Sequence, residues 1–440
     1  MRPDRRDALL ARASHVFEEV AQRTRVLDGI QWPRSTEHAF FASHAGDLPH
    51  PAYAIDRTMA EGNLAALAEL NKELAGSDPL LGYLRAIADS YRQANEMLLS
   101  VGTARFYELS LEQYGGAKST ALDVDTTNLD LAKHLRRRIG TGARHDGGSS
   151  SSISAEAFAK GIELRLADEH PDLEVKVVLD DDLSAKVIAG AKRVRVRAGA
   201  TFSPMEVDGL FVHEIETHAL TAQNGLAQPH LPFLRAGGPR TTRTQEGLAV
   251  FAELFDHSLS IDRLRRLVER VFMVAMAEDG ASFLDVYRHL IGLGVESRDA
   301  YLDTVRIFRG GIVSGGAPFT KDAAYLSGLA EVYNFLRVTL AERARHVAEV
   351  LVSGRIAIDD IDLLLDLREE GLLAPPRHLP RWLQHWDALL PYFAFTSFLN
   401  EIEPPPLSEK YTSLVNRHSV PPPRVHAVHA PAPDSESKRK

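Results

Sequence analysis

The chain has no cysteine among its 440 residues. This absence excludes disulfide bonds, thiolate metal sites and cysteine nucleophiles, so any metal site must be built from histidine and carboxylate. Long apolar runs are also missing, since no window approaches the roughly 20 apolar residues that a membrane-spanning helix needs. Arg12, His15 and Glu18 interrupt the first stretch, which therefore lacks the apolar centre of a signal peptide. We expect a cytoplasmic protein that does not bind membranes.

A strong excess of positive charge is absent as well. The formal net charge is −9 and the isoelectric point is about 6.1. The net charge therefore gives the protein no long-range electrostatic attraction to DNA, RNA or anionic lipid, and we predict no nucleic-acid partner. The composition, 44% hydrophobic and 25% charged, is typical of globular proteins and allows a large core.

The periodicity of apolar residues predicts a mostly helical α+β protein. A basic stretch followed by many glycines and serines predicts a solvated helix end and then a flexible loop, with a lid near a substrate cleft as the alternative. Repeated prolines near residue 404 predict a linker before a disordered end. The predicted segments are an N-terminal helical region (1–130), the basic and Gly/Ser-rich loop (131–155), a catalytic domain with C-terminal helices (156–400), and a Pro-rich linker with a disordered tail (401–440).

Strands are predicted in one part of the chain. Leu173–Leu179 has the composition of a strand, and Lys192–Arg197 alternates between charged and apolar residues. Alternation is typical of a strand with one solvated face and one buried face, so we predict a small antiparallel sheet. We also expect that an extended peptide could pair along the edge of Lys192–Arg197.

A helix that begins at Ser203 carries the first motif. Ser203 and Glu206 form the pattern of a capping box, and the helix then contains His213, Glu214 and His218. Zinc peptidases commonly space their histidines as HExxH, whereas this spacing is HExxxH. On an ideal helix five residues advance about 500°, which leaves the imidazoles about 140° apart. We therefore predict a local π-type widening that restores a common face; the alternative pairs Glu214 with His218 as ligands.

A second helix carries a candidate third ligand. Thr242 or Thr244 is predicted to cap a helix that continues to about Asp256, with Glu246 in its first turn. Gly247 weakens the helix and indicates a close approach of another backbone. The run Gln-Glu-Gly-Leu-Ala is similar to the Asn-Glu-Gly-Phe-Ala of zinc aminopeptidases, in which the glutamate is a ligand.

Together the two motifs predict one Zn²⁺ ion bound by His213, His218 and Glu246, with a fourth position left for water. Glu214, next to a ligand, is the predicted general base. The residues that could orient a ligand histidine, or simply be solvated, are Glu253 and Asp256.

A zinc peptidase that acts on the C-terminal end of a chain would also need a cation for the terminal carboxylate of its substrate. Arg306, Arg309 and Lys321 surround a glycine-rich turn and are candidates, although each could instead be a surface charge or a structural ion pair. Tyr325 lies one turn after Lys321 and could stabilise an oxyanion or be packed in the core.

These motifs resemble those of a known family. His213–His218 and Gln245–Ala249 look like the bacterial proteins named for their QEGLA motif, some of which are labelled flavohemoglobin-expression-modulating. Their eukaryotic relatives are the microtubule-associated tyrosine carboxypeptidases, which remove the C-terminal tyrosine of α-tubulin. The resemblance extends from about Leu173 to Leu340 and includes Arg306–Gly311 and Phe319–Tyr325.

The resemblance implies a mostly helical, zincin-like catalytic domain with the same three zinc ligands and with Glu214 as base. Glu216 departs from it, since a small residue is expected there, and this puts the substrate pocket in doubt more than the metal. The first hypothesis is a zinc carboxypeptidase that acts on a peptide or protein C-terminus. The alternatives are a metal-dependent hydrolase of a small amide and a regulatory protein with structural zinc.

Overall fold

The fold is described from a computed structural model. The described residues are 3–121, 125–140, 152–181, 183, 185–395 and 405–417. Helices dominate them, with two small sheets, so the predicted mostly helical chain with a small sheet is confirmed. Residues 141–151 of the predicted flexible loop and the predicted tail from residue 418 onward lie outside the described residues. Within the described part, no helix is both long enough and apolar enough to cross a membrane.

The N-terminal part is helical, as predicted. Its helices are α1 (Pro3–Arg23), α2 (Val26–Gly29), α3 (Arg34–Ala42), α4 (Arg57–Glu73), α5 (Pro79–Leu99), α6 (Ala104–Tyr114) and α7 (Asn128–Ile139). Asp56 and Asp78 cap α4 and α5 by accepting backbone N–H groups. The basic stretch is the end of a helix, as predicted, because its arginines lie in the last turn of α7, where positive charge favours the helix C-terminus. Only the predicted loop boundary at residue 131 was wrong, since α7 continues to Ile139.

The middle of the chain forms the sheets. Its elements are β1 (Ile153–Ser154), α8 (Ala155–Glu169), β2 (Lys176–Asp180), β3 (Val187–Ala189), β4 (Arg193–Arg197) and β5 (Thr201–Phe202). Strands β1 and β5 pair with each other, and the larger sheet has the order β2-β4-β3.

The larger sheet is mixed, so the prediction of an antiparallel sheet was wrong. Strand β4 pairs with β3 in antiparallel and with β2 in parallel orientation. Alternation predicts which face of a strand is buried, and Val194 and Val196 are indeed fully buried. It does not predict strand direction, which depends on how the chain returns to the sheet. Because β4 lies between two strands, the expectation that a peptide pairs along its edge was also wrong.

The second half is helical. After Ser203 come α9 (Pro204–Leu210), a π-helix (Phe211–Ala219), α10 (Leu220–Leu226), α11 (Pro239–Phe255), α12 (Ile261–Glu278), α13 (Phe283–Gly292), α14 (Ser297–Phe308), α15 (Ala324–Ala341), α16 (Arg345–Leu351), α17 (Ile361–Glu369), α18 (Arg381–Gln384), α19 (Leu389–Phe395) and α20 (Pro405–Arg417). Short 3₁₀ turns lie at Pro232–Arg235, Lys321–Ala323, Ile358–Asp360 and Trp386–Ala388.

Helix α20 differs from the prediction of a linker. The three prolines indicated a helix breaker, but proline is compatible with the first turn of a helix, whose N–H groups have no helical partner. Tyr411 and Val415 are buried, so the helix is held by an apolar face. The linker prediction is therefore wrong for residues 405–417.

One large hydrophobic core joins the two ends of the described chain. It extends from Leu9 in α1 to Val415 in α20, and it includes residues of α5, α11 and α15. A second, smaller cluster lies between the sheet, α8 and one side of the π-helix. The π-helix thus lies between the two clusters.

Helices α11 and α15 cross at a pair of glycines. A Cβ atom on Gly247 would lie 2.1 Å from the carbonyl carbon of Gly328, so neither position has room for a side chain. The close backbone approach that we predicted at Gly247 is confirmed. This crossing fixes the position of Glu246 beside α15.

Candidate metal centre

The first motif lies on a helix that is widened by one residue per turn. The π-helix Phe211–Ala219 follows a capping box made by Ser203 and Glu206, so both the predicted cap and the predicted widening are confirmed. Its last turn shows the longer step, because the backbone N–H of Leu220 donates to the carbonyl oxygen of Ile215, five residues earlier. Phe211 and Ile215 pack against the sheet cluster, while the histidines face α11.

The second motif lies deeper in its helix than we predicted. Helix α11 begins at Pro239 with Gly238 as its N-cap, where the Thr241 hydroxyl lies within hydrogen-bonding distance of both the N–H and the carbonyl of Gly238. The prediction of a cap at Thr242 or Thr244 was wrong because Gly-Pro had already started the helix. Glu246 is therefore about two turns inside α11 rather than in its first turn.

Three ligand atoms converge between the π-helix and α11. The Nε2 atoms of His213 and His218 lie 3.5 and 3.8 Å from Oε2 of Glu246. The two rings are perpendicular, with centroids 4.9 Å apart. Ligand atoms around a tetrahedral zinc ion lie roughly 3.3 Å apart, given Zn–N and Zn–O distances of about 2.0–2.2 Å. The separations therefore fit a single ion of this size.

Glu246 itself indicates that a cation belongs at this point. Its Oε2 atom is buried and has no hydrogen-bond partner, whereas Oε1 accepts from Lys321 Nζ at 2.8 Å. A buried carboxylate oxygen without a partner is unfavourable unless a cation or a donor meets it. Both imidazole Nε2 atoms face the same oxygen, so the residues present fit a metal ion with nitrogen and oxygen ligands.

The electrostatics of the three groups are strongly coupled. Burial lowers the pKa of His213, but Glu246 and Glu253 raise it more, and the net effect raises the pKa to about 10. Burial raises the pKa of Glu246, but Lys321 and the two imidazoles bring it well below its usual range. The site therefore favours an ionised carboxylate and attracts positive charge.

Glu253 holds one of the two imidazoles in place. His213 Nδ1 lies 2.7 Å from Oε1 of Glu253, which is 3% exposed and also pairs with Arg263 at 3.3 Å. The carboxylate accepts the ring N–H and so leaves Nε2 directed towards Glu246. Asp256, the other acidic candidate, instead pairs with Arg381 at 2.8 Å.

Glu214 lies outside the group of three ligand atoms and contacts strand β3. Its Oε2 atom accepts the backbone N–H of Ala189 at 3.0 Å. The Arg355 side chain donates to the carbonyl oxygens of Ala189 and His218, at 2.9 and 3.3 Å, and thus ties β3 to the π-helix. Glu214 is outside the converging group, so the alternative in which it pairs with His218 as a ligand is not the observed geometry.

Two of the predicted substrate-binding cations are already paired. Arg306 donates to both oxygens of Asp322, at 2.6 and 2.8 Å, and Lys321 binds Glu246. These are the structural ion pairs that the sequence left open as alternatives. Tyr325 is buried, and the Nζ atom of Lys321 lies 5.0 Å from its ring centroid.

Arg309, the third predicted cation, is different. It is 8% exposed, and its guanidinium lies 5.7 Å from the ring centroid of Phe319. Arg270, which we did not predict, lies near the same cluster, 3.5 Å from Asp322. A single arginine on an amphipathic helix such as α12 gives no local signal of a site, and the same holds for Arg355 in a loop.

Glu216, the departure from the family pattern, faces away from the metal centre. Its carboxylate lies 2.9 Å from His170 Nε2, and Glu169 completes a second group of potential ligands. Glu169 is already paired with Arg165 at 2.9 Å, and Arg381 lies 3.9 Å from Glu216. The charges of this group are therefore met by neighbouring side chains.

Comparison with known proteins identifies the family. The family model described as microtubule-associated tyrosine carboxypeptidase matches residues 38–401, which is most of the chain and includes every element of the metal centre. No curated protein matches the chain. On the strength of that match, this protein belongs to the microtubule-associated tyrosine carboxypeptidase family.

Proposed function

We propose that this protein is a zinc carboxypeptidase that removes a residue from the C-terminus of a peptide or protein. The observation that carries the proposal is the buried, unpaired Oε2 atom of Glu246, which faces the Nε2 atoms of His213 and His218. Two histidines and one glutamate are a common ligand set of catalytic zinc, which keeps its fourth position open. The family description, which names a tyrosine carboxypeptidase, supports the reaction class and makes tyrosine the first terminal residue to test.

A zinc ion held by these ligands would act as a Lewis acid on the scissile carbonyl and on the attacking water. Glu214 is the general base that accepts the water's proton and passes it to the leaving amine. Its Oε2 atom is anchored by the N–H of Ala189, and its other oxygen makes no hydrogen bond within the described residues. The base is thus fixed at one oxygen and free at the other.

A zincin-like arrangement belongs to the same proposal. An edge strand, β3, lies beside the helix of the first motif and contacts the proposed base. Among the described residues the converging group has three protein ligands, whereas structural zinc sites normally have four. This supports a catalytic role over a purely structural one.

The test is the Glu214→Gln variant, compared with Glu216→Gln on the same π-helix as a matched control. A pool of peptides with varied C-terminal residues is digested and read by mass spectrometry, and bound zinc is measured in parallel. We expect Glu214→Gln to keep its zinc and to lose hydrolysis by about 10²- to 10⁴-fold. We expect Glu216→Gln to keep both.

Cleavage at internal peptide bonds, without release of C-terminal residues, would contradict carboxypeptidase activity. Full activity of Glu214→Gln would contradict the assignment of the base. Release of the amine from small amides without cleavage of peptides would favour the small-amide hydrolase.

A further inference from the structure

Two buried guanidinium groups near the candidate metal centre lack hydrogen-bond acceptors among the described residues. Arg270 in α12 and Arg309 after α14 are each 8% exposed. Neither side chain donates a hydrogen bond to any of the described residues, and the Nε atom of each is buried without a partner. A guanidinium has five N–H donors, and a buried charge without a partner is strongly unfavourable. The N–H donors of these two guanidinium groups are therefore available to a bound anion.

The nearest carboxylate cannot supply it. Asp322 gives both of its oxygens to Arg306, and its contact with Arg270 is an Nε–Oδ2 distance of 3.5 Å without a hydrogen bond. Arg309 has no ion pair within the described part of the chain. Glu246 is held by Lys321.

Both guanidinium groups remain charged at neutral pH. Burial lowers the pKa of Arg270 and of Arg309, the neighbouring Arg306 lowers it further, and each falls to about 10. The positive charge of Arg270 contributes to the lowered pKa of Arg309. A bound anion would therefore stabilise these two charged groups.

The pair lies close to the metal centre, on the side of Tyr325. The Arg270 guanidinium lies 5.3 Å from the centroid of the Tyr325 ring, and Lys321 Nζ lies 5.0 Å from the same centroid. Lys321 binds the proposed zinc ligand Glu246 directly. Tyr325 and Lys321 thus connect the Arg270 guanidinium to the ligand Glu246, and Tyr325 also acts on the pKa of Arg309.

We propose that Arg270 and Arg309 bind the terminal carboxylate of the substrate. Arg306 and Lys321 instead hold Asp322 and Glu246 in place. This inference rests on the proposed function and refines it. Guanidinium groups recognise carboxylates through paired N–H donors, which gives both affinity and orientation. A peptide whose carboxylate is held here presents its last peptide bond to the metal centre and not an internal one.

The first test compares peptides that end in a free carboxylate with the same peptides that end in an amide. For wild type we expect hydrolysis of the acids to exceed that of the amides. In Arg309→Gln and Arg270→Gln we expect kcat/KM for the acids to fall roughly tenfold to a hundredfold, mainly through KM, with little change for the amides. The control is Arg298→Gln, which removes a surface arginine from α14 that is 68% exposed and pairs with Glu37.

A second measurement does not depend on hydrolysis. Chelator-treated protein is heated with N-acetyl-L-tyrosine or with N-acetyl-L-tyrosinamide, and the shift in Tm reports binding. We expect only the acid to raise the Tm of wild type, and neither to raise that of Arg309→Gln. Because the Arg309 side chain has no ion pair and no hydrogen-bond acceptor among the described residues, we expect the ligand-free Tm of Arg309→Gln to equal or exceed that of wild type.

The outcomes separate this inference from the proposed function. Preferential binding of the acid without any peptide hydrolysis supports the carboxylate site and contradicts the peptidase. Equal hydrolysis of acids and amides, or equal effects of the two ligands on Tm, including none from either, overturns the carboxylate site. A sharp fall in the ligand-free Tm of Arg309→Gln also overturns it, because it gives Arg309 a structural role.

Discussion

The hydrogen bond between His213 and Glu253 gives the sharpest prediction about the metal centre. Glu253→Gln keeps the shape of the side chain and removes its charge. The bond is 2.7 Å long, and the Glu253 side chain is 4% exposed, so water cannot replace the carboxylate. Partners of this kind around metal-binding histidines contribute about 10- to 100-fold in metal affinity, or roughly 1.4–2.8 kcal/mol at about 1.4 kcal/mol per tenfold change.

The assay is a competition titration for zinc against a chromophoric chelator at one pH. We expect zinc to bind Glu253→Gln about 10- to 100-fold more weakly than wild type. Glu216→Gln is the matched control, because Glu216 is also a buried glutamate bonded to a histidine, but to His170 outside the metal centre. An unchanged affinity in Glu253→Gln would refute the reasoning. Equal weakening in the control would attribute the effect to the π-helix rather than to the hydrogen bond.

Two further predictions concern how the fold positions the site. Gly247→Ala should lower the free energy of unfolding by about 1–3 kcal/mol in chemical denaturation, because its Cβ would meet Gly328 at 2.1 Å; Gly62→Ala in α4, with nothing within 4 Å, should instead leave it unchanged or raise it by up to about 1 kcal/mol. Equal effects of the two substitutions would contradict the packing argument. Arg355→Lys should lower kcat about tenfold at unchanged zinc content, since a lysine ammonium does not reproduce the reach and fixed orientation of the Nη2 atom that donates to both Ala189 and His218. An unchanged kcat would show that Arg355 does not position the base Glu214.

The geometry of the candidate metal centre could be predicted where a local pattern had a geometric consequence. The five-residue spacing of His213 and His218 is incompatible with one ion on a regular helix, so it predicted the π-helix that is observed. Gly247 predicted a close backbone approach because glycine has no other advantage inside a helix. Both inferences needed only the residues of a single element.

The parts that were missed depend on contacts between distant segments. The direction of β2 relative to β4 depends on the chain path and not on the alternation of either strand. Helix α11 begins at Pro239 with Gly238 as its N-cap. This start precedes the threonines that the sequence pattern favours as caps, because proline is well suited to the first turn of a helix. That Arg309 lacks an acceptor among the described residues is visible only in the structure, where Asp322 is bonded to Arg306 instead.

The metal content of the purified protein tests the central claim most directly. Inductively coupled plasma mass spectrometry of wild type and of His218→Ala, after incubation with zinc and removal of the free ion, gives the number of ions per chain. Coordination by His213, His218 and Glu246 predicts one zinc ion per chain in wild type and little in the variant. A wild type that retains no zinc, or a variant that retains as much as wild type, would contradict it.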